Sequence, residues 1–564
     1  MVLRVRRLLE GGSRTAAPRL GRIALATATE RPDITQSSAP HDVYFVPPEQ
    51  ETADAVAHAS AAAASRLRDR ADVVRFKGRF ALPITHTTPH EAMVEDLLFV
   101  RDVLDGAGIE YLLVRGNDER PVIAVNWAQR KALRAALVAA CEDRPFYSKT
   151  VDAKGPAVLV SDGSLSATSK ARIFRLFRPR VHLASGLSYG ASTGVQIELW
   201  SISDDEIVLP MENSLTRRVV RSEEAVRGTV ERFGRVWPTI ENMFADHASD
   251  INFDVDLVFS WVDGSSAEFQ AQRAKRMQSY VVGEGDDSAA RFRQIDELKY
   301  ALRSVHMYAP WIRRIFVATD SDRPAWLADD PRVTFMPSEE FFADPSVLPT
   351  HNSQAVESQL HHIPGLAEHF LYSNDDMFFG RSVGPQMFFS PGGITMFIEA
   401  TTRIGLGHND DERSGFENAA RVNRRLLQDR FGLMTTRHLE HAATPLRKSV
   451  MEEMEKEFPD EFAATAASTF RASTNISVTN SLYHYYALMS GRAVVQTAAR
   501  VKYVDTTMKS GLRDMDSLLA KRSMDFFCLN DGSAPEIDLE LRTRKVTQFL
   551  ENYFPIPAPW ETGV

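Results

Sequence analysis

At 564 residues the chain is too long for one hydrophobic core, so two or three domains are expected. Charged residues at 25% and hydrophobic ones at 44% fit a water-facing globular protein, and a net charge of -9 without blocks argues against a nucleic-acid binder, whose affinity rests on a basic surface. Cys141 and Cys528 are too few for a disulfide framework or a cysteine zinc site, which points to a reducing compartment, and no apolar run is long enough to span a bilayer.

The first 24 residues carry Arg4, Arg6, Arg7, Arg14, Arg19 and Arg22 against a single acid, Glu10. They lack the apolar stretch of a secretory signal. The bland reading is a disordered basic tail; the sharper one is adhesion to an anionic membrane surface. The chain is therefore expected in the cytoplasm, with the tail as its contact with the inner membrane face. Thr29–Gln50 has the Pro, Ser and Thr content of a linker, so 1–50 is assigned as tail and linker. An Ala-rich helix over Thr52–Arg68 opens the next domain. A helix over Glu91–Gly106 follows, then strands Glu110–Val114 and Pro121–Val125 around a Gly-Asn-Asp turn. A helix over Ala128–Cys141 and a strand over Val195–Trp200 complete an α+β domain assigned to 51–245. No catalytic constellation stands out in it.

From residue 250 the density of chemistry rises. Three short apolar runs, Val255–Gly264, Ile315–Asp322 and Phe370–Gly380, each end on acidic residues. Such runs read as buried strands, and open α/β sheets bind ligands beyond the carboxyl ends of their strands. Asp263, Asp320, Asp322, Asp375 and Asp376 would then share one rim, where a divalent cation and a phosphorylated ligand would relieve their repulsion. Hard oxygen donors of this kind suit magnesium or manganese. Asp296–Tyr308 reads as a helix with Leu298, Leu302 and Val305 toward the core and Asp296, Lys299 and Arg303 on another face. That charged face is either solvated or, with Arg291 and Arg293 nearby, turned toward phosphate. Val356, Leu360 and Ile363 form a second apolar stripe, with Glu357 and His361 paired at i, i+4 on the opposite side. Helical patterns dominate beyond residue 400, over Asn418–Phe431, Leu446–Phe458, Ser481–Met489 and Leu539–Tyr553. His438 and His441 precede the second of these. A neutral imidazole can take a proton from a hydroxyl, and a guanidinium such as that of Arg471 can hold a phosphate.

The segments 254–266, 293–327, 351–380, 441–462 and 470–491, with the closing FFCLNDG and FLENYFPIPAPWE, resemble the stealth family of sugar-1-phosphate transferases. That family includes bacterial capsule and exopolysaccharide phosphotransferases and the lysosomal-enzyme GlcNAc-1-phosphotransferase of animals. The resemblance implies an α/β fold: a Rossmann-like nucleotide-sugar transferase core with added helices over 250–564, beside the N-terminal α+β domain. It implies transfer of a sugar-1-phosphate from a UDP-sugar to a glycan hydroxyl with release of UMP, in capsule or exopolysaccharide synthesis. Magnesium or manganese would be the cofactor. His441 matches the family's catalytic histidine and Arg471 a phosphate-contacting arginine; Asp296 and Arg303 are carried over as further catalytic groups. The metal falls to Asp375, Asp376 and Asp531. The substrate falls to Trp261, Asp263, Gly264, Glu297, Lys299, Asn352, Glu357, His361, Asn374 and Asn530. Where the family has histidine followed by proline, this chain reads His441-Ala442-Ala443-Thr444-Pro445. The rival reading is a metal-dependent glycosyltransferase that releases UDP. An oligomer is left open.

Overall fold

The computed structural model describes residues 60–563 except 167, 169, 268–269, 272–273, 276–294 and 533–534. The expected basic tail, the linker, the start of the Ala-rich helix, Arg291 and Arg293 lie outside the described residues.

In the N-terminal part, α1 (Ala61–Arg68) is followed by α2 (Pro89–Gly106). Thr88 and Glu91 close a reciprocal capping box at the start of α2, with Pro89 in its first turn. Leu97, Val100 and Leu104 form its buried stripe. Strands β1 (Tyr111–Arg115) and β2 (Pro121–Asn126) pair antiparallel. Helix α3 (Arg130–Ala140) and strand β3 (Ile173–Phe177) follow. Strand β4 (Val195–Ile202) runs parallel to β2 and antiparallel to β3. They belong to an eight-stranded sheet.

The second sheet positions the site. Its strands are β5 (Val255–Ser260), β6 (Ile315–Ala318), β7 (Val333–Met336) and β8 (His369–Asn374), joined at the edge by β10 (Thr444–Arg447). The order is β7-β6-β5-β8-β10, parallel in the first four and antiparallel at β10. Helices cover parallel sheets on both faces, which is why β5, β6 and β8 read as continuous apolar runs instead of alternating ones. Helix α4 (Glu297–Tyr308) buries Leu298, Ala301, Leu302 and Val305, as its spacing predicts. Burying each of the larger three contributes about 2 kcal/mol. Between β7 and β8, α5 (Ser353–Gln359) is capped by Asn352 and ends in a tight 3-10 turn over Leu360–His362.

Beyond residue 400 the structure corrects the sequence reading. The four expected helices are present as α6 (Gly415–Phe431), α7 (Lys448–Glu457), α9 (Tyr483–Met489) and α11 (Leu539–Tyr553), and the structure adds α8 (Pro459–Ala466) and α10 (Lys509–Lys521). Strands lie between them, however. Besides β10 these are β11 (Val501–Asp505) and β12 (Phe526–Asn530), which with the earlier β9 (Met377–Phe379) make a three-stranded sheet in the order β9-β12-β11. These strands are three to five residues long, too short to show a period of two against the helical stretches around them. No helix among the described residues is long and apolar enough to cross a membrane.

Candidate functional site

The register sets the rim. Ser260 of β5 pairs with both Ala318 of β6 and Asn374 of β8, so the residues that follow these three leave the sheet at one level. Strand order reverses between β5 and β8, the crevice where open α/β sheets take ligands. On the β5 side, Trp261 is buried edge-on to Phe335, with its indole N–H lacking a hydrogen-bond partner among the described residues. Asp263 accepts from the Ser265 N–H at 3.0 Å and its hydroxyl at 2.6 Å, while its own N–H donates to Ser321 Oγ at 2.8 Å. That carboxylate shapes the turn through Gly264. Asp320 accepts from the Ser338 N–H at 2.6 Å and thereby ends its strand, and Asp322 is exposed. These two are turn formers.

On the β8 side the chain turns at Asp375–Asp376 and passes into β9 of the smaller sheet. Asp375 is held well above the usual carboxylate range by burial, then by Glu297 of α4, then by Asp376. Like charges in a half-dry pocket disfavour ionisation unless a cation joins them. Antiparallel pairing of Met377 with Cys528 brings Asn530 and Asp531 to the same edge. The Leu529 N–H donates to the Asp376 carbonyl at 3.0 Å, and the Cys528 thiol, pushed up by burial and by Asp376, donates to Asp376 Oδ2 at 3.4 Å. Asp531 accepts from the Thr506 hydroxyl at 2.7 Å and from Arg542 at 3.1 Å. Its carboxylate is thus already balanced by a cation, unlike the setting of Asp375. Oxygen donors alone, crowded until one resists ionisation, fit magnesium or manganese. Asp375 and Asp376 would hold the ion, and Asp531 would border it.

Across from these carboxylates stands His441, in the turn before β10. Its ring lies 5.1 Å from Tyr503 of β11 and 6.4 Å from Phe416 of α6, centroid to centroid. Tyr503 in turn feels the charges of Asp505, Asp376 and Asp531, which places the imidazole and the carboxylates around one phenol ring. Burial, then the neighbouring His438, lowers the His441 pKa below its ordinary 6.5, so the ring is neutral at working pH. His438 stacks on Phe416 at 4.6 Å and flanks the site.

Arg471 Nη2 donates to Ser353 Oγ at 2.8 Å. Asn352 is fully engaged: its amide NH2 reaches Ser468 O, Phe470 O and Asn475 Oδ1 while its oxygen caps α5. It fixes the loop that carries Arg471. Glu357, 2% exposed, accepts from the Thr479 hydroxyl at 2.7 Å and lies 3.1 Å from the Tyr372 hydroxyl, which is 2.7 Å from Asn374 Oδ1. Burial pushes its carboxyl up, opposed by Thr479 and Arg471. This polar chain links Asn374 at the rim to the Arg471 loop. His361 takes no part in it. The helix tightens after Gln359, so His361 turns to Glu455 of α7 and the expected Glu357–His361 pair is split.

The charged face of α4 is also corrected. Arg303 forms two 2.7 Å bonds with the Glu561 carboxylate and donates to Phe554 O at 2.9 Å. Lys299 lies 3.6 Å from Glu561 and over the Trp326 ring, and Asp296 accepts from Trp326 Nε1 at 3.2 Å. This face anchors the C-terminal segment; Glu297, on the other flank, is the member that meets the rim. Arg303→Gln is therefore expected to cost roughly 2–3 kcal/mol in urea unfolding, because Glu561 stays buried with Lys299 and the Ala558 N–H left to balance it. Arg471→Gln should cost little stability and most of the activity. Equal stability losses in the two variants would refute this division.

Tyr503, Asp505, Cys528, Phe416 and Ser353 were not singled out from the sequence. The signal for three of them was present, since VKYVD and FFCLND are again apolar runs ending on acids.

Four conserved regions of the Stealth protein family match the chain: region 1 at 253–281, region 2 at 291–397, region 3 at 440–488 and region 4 at 516–563. Asp263 lies in the first, Glu297, Asp375 and Asp376 in the second, His441 and Arg471 in the third, and Asp531 in the fourth. The exopolysaccharide phosphotransferase CpsY of Mycobacterium tuberculosis is 59% identical over 491 residues, covering 87% of this chain and 92% of that one. An exopolysaccharide phosphotransferase of Nocardia farcinica is 53% identical over 471 residues, 84% of this chain and 88% of its own. The galactosyltransferase LgtC overlaps 54% of this chain and 96% of its own at 12% identity and a TM-score of 0.27, too loose to decide the fold. The long, closely matched relatives and the four regions, found in order along the chain, make this chain a member of the Stealth family and a phosphotransferase.

Proposed function

We propose that the chain transfers a sugar-1-phosphate, of a hexose or N-acetylhexosamine, from a UDP-sugar to an acceptor sugar hydroxyl in exopolysaccharide synthesis, releasing UMP. The observation that carries this reading is the crowding of Asp375 with Glu297 and Asp376 across from a neutral His441. Phosphoryl transfer needs positioning and neutralised charge more than covalent help. An imidazole nitrogen of His441 takes the acceptor's proton as its oxygen attacks the phosphorus that bears the sugar. The bridging P–O bond breaks, UMP departs with that oxygen, and the sugar's anomeric bond is untouched. Arg471 faces the developing negative charge, and Trp261, Asp263 and Gly264 border the nucleotide. Magnesium or manganese at Asp375 and Asp376 would neutralise pyrophosphate charge and stabilise the leaving group.

The rival glycosyltransferase uses the same acidic rim but breaks the sugar–oxygen bond and releases UDP. Incubation with a panel of UDP-sugars, a glycan acceptor and magnesium, followed by chromatography of the nucleotides, separates the two. UMP is expected; UDP without UMP would sink the proposal.

A further inference from the structure

Away from the rim, the 3-10 turn after α5 brings two imidazoles against α7. His361 Nε2 is 2.9 Å from Glu455 Oε2, and His362 Nε2 is 3.1 Å from the same oxygen. The candidate ligand atoms of the three residues all lie within 4.8 Å of one another. His361 is fully buried, while the side chains of His362 and Glu455 are 32% and 27% exposed. We propose that His361, His362 and Glu455 form a second, chemically distinct metal site, for a late first-row divalent ion with zinc foremost, that fastens the end of α5 to α7.

The donor set argues for it. Two imidazoles and one carboxylate suit zinc, whereas magnesium takes oxygens and would stay at the rim. Donors at about 2.0–2.1 Å from a tetrahedral ion sit about 3.3 Å apart, close to the spacing seen here. Solvent reaches the site from the side of His362 and Glu455, which gives the ion an entry path and a position for water. Glu452, one turn before Glu455 on α7, adds a second negative charge that His361 senses. The competing account is a metal-free set of hydrogen bonds from both rings to one carboxylate. In that account His361 reaches Glu455 Oε2 at 2.9 Å and His362 reaches Oε1 at 3.3 Å, and the buried His361 Nδ1 has no partner among the described residues under either account.

The placement gives the site a structural purpose. The first turn of α5 carries Ser353, which holds Arg471, and its middle carries Glu357, which reaches Thr479 and Tyr372. The ion would fix the opposite end of that helix without touching the reacting groups. It also gives His361 an occupation other than the substrate contact expected from its sequence.

Full-length protein stripped with a chelator, reloaded with zinc or cobalt(II) and gel-filtered provides the test. Stoichiometric retention is expected, together with the intense visible bands of tetrahedral cobalt and a melting temperature a few degrees above the stripped protein. His362→Ala and Glu455→Gln, checked for native far-UV circular dichroism, should lose the bands and the thermal shift. Wild-type protein that retains no metal would overturn the proposal. So would variants that keep the cobalt bands undiminished, since the ion would then sit elsewhere.

Discussion

His441→Ala is expected to lower kcat by about 10²–10⁴-fold, the range for a lost general base, while KM for the UDP-sugar changes little. The ring sits partly buried between Tyr503 and Phe416 and takes part in no ion pair among the described residues, so the melting temperature should barely move. The pH profile adds a second check. A base must be neutral, and burial followed by His438 lowers the pKa of His441 below 6.5. Activity should therefore persist below pH 6.5 and fall only as the pH drops through that lowered value. Removing the neighbour with His438→Gln raises the pKa, so the acid limb should move to higher pH. Full activity in His441→Ala, or an unmoved limb in His438→Gln, would show that another group takes the proton.

Asp375→Asn should abolish metal-dependent turnover, a loss on the order of 10³-fold or more, with Asp376→Asn close behind. Chelation should silence the wild type reversibly, and added magnesium should restore it but neither variant. Stability should move the opposite way. A carboxyl whose folded pKa is raised makes the native state bind its proton more tightly, so stability falls as pH rises above the unfolded value near 3.8. In metal-free protein at neutral pH, Asp375→Asn relieves the crowding with Glu297 and Asp376 and should melt higher than wild type. Magnesium should raise the wild-type melting temperature and leave that of Asp375→Asn unchanged. A variant that melts lower without metal would mean that these carboxylates do not repel one another.

Three strands of the parallel sheet were readable because they are buried apolar runs that end in acids at one level, whereas the half-buried β7 was not. The apolar stripe of α4 was equally plain, as Leu298, Leu302 and Val305 recur at helical spacing. Its charged face was misread because spacing reports which residues share a face and says nothing of what covers it. Glu561, more than 250 residues away in sequence, does so. The Glu357–His361 pairing failed for a local reason: an ideal helix puts i and i+4 together, and this one tightens at Leu360. The smaller sheet escaped because β9 has three residues and its partners come from beyond residue 500. Asp376 and Asp531 are brought to one edge by that pairing alone.

The carboxylate turn lies where the chain steps from one sheet to the other, and the second sheet is held by an aromatic column. Phe378 of β9 stacks on Phe527 of β12 at 5.2 Å and on Phe554 at 5.5 Å, and the latter two stack at 5.9 Å. The pairing that sets Asp376 beside Asp531 is thus packed by three buried phenylalanine rings. Trimming one of them would work like loosening the fixed jaw of a vice. The shape of the rim could then be altered from the dry interior, with every acidic residue left in place.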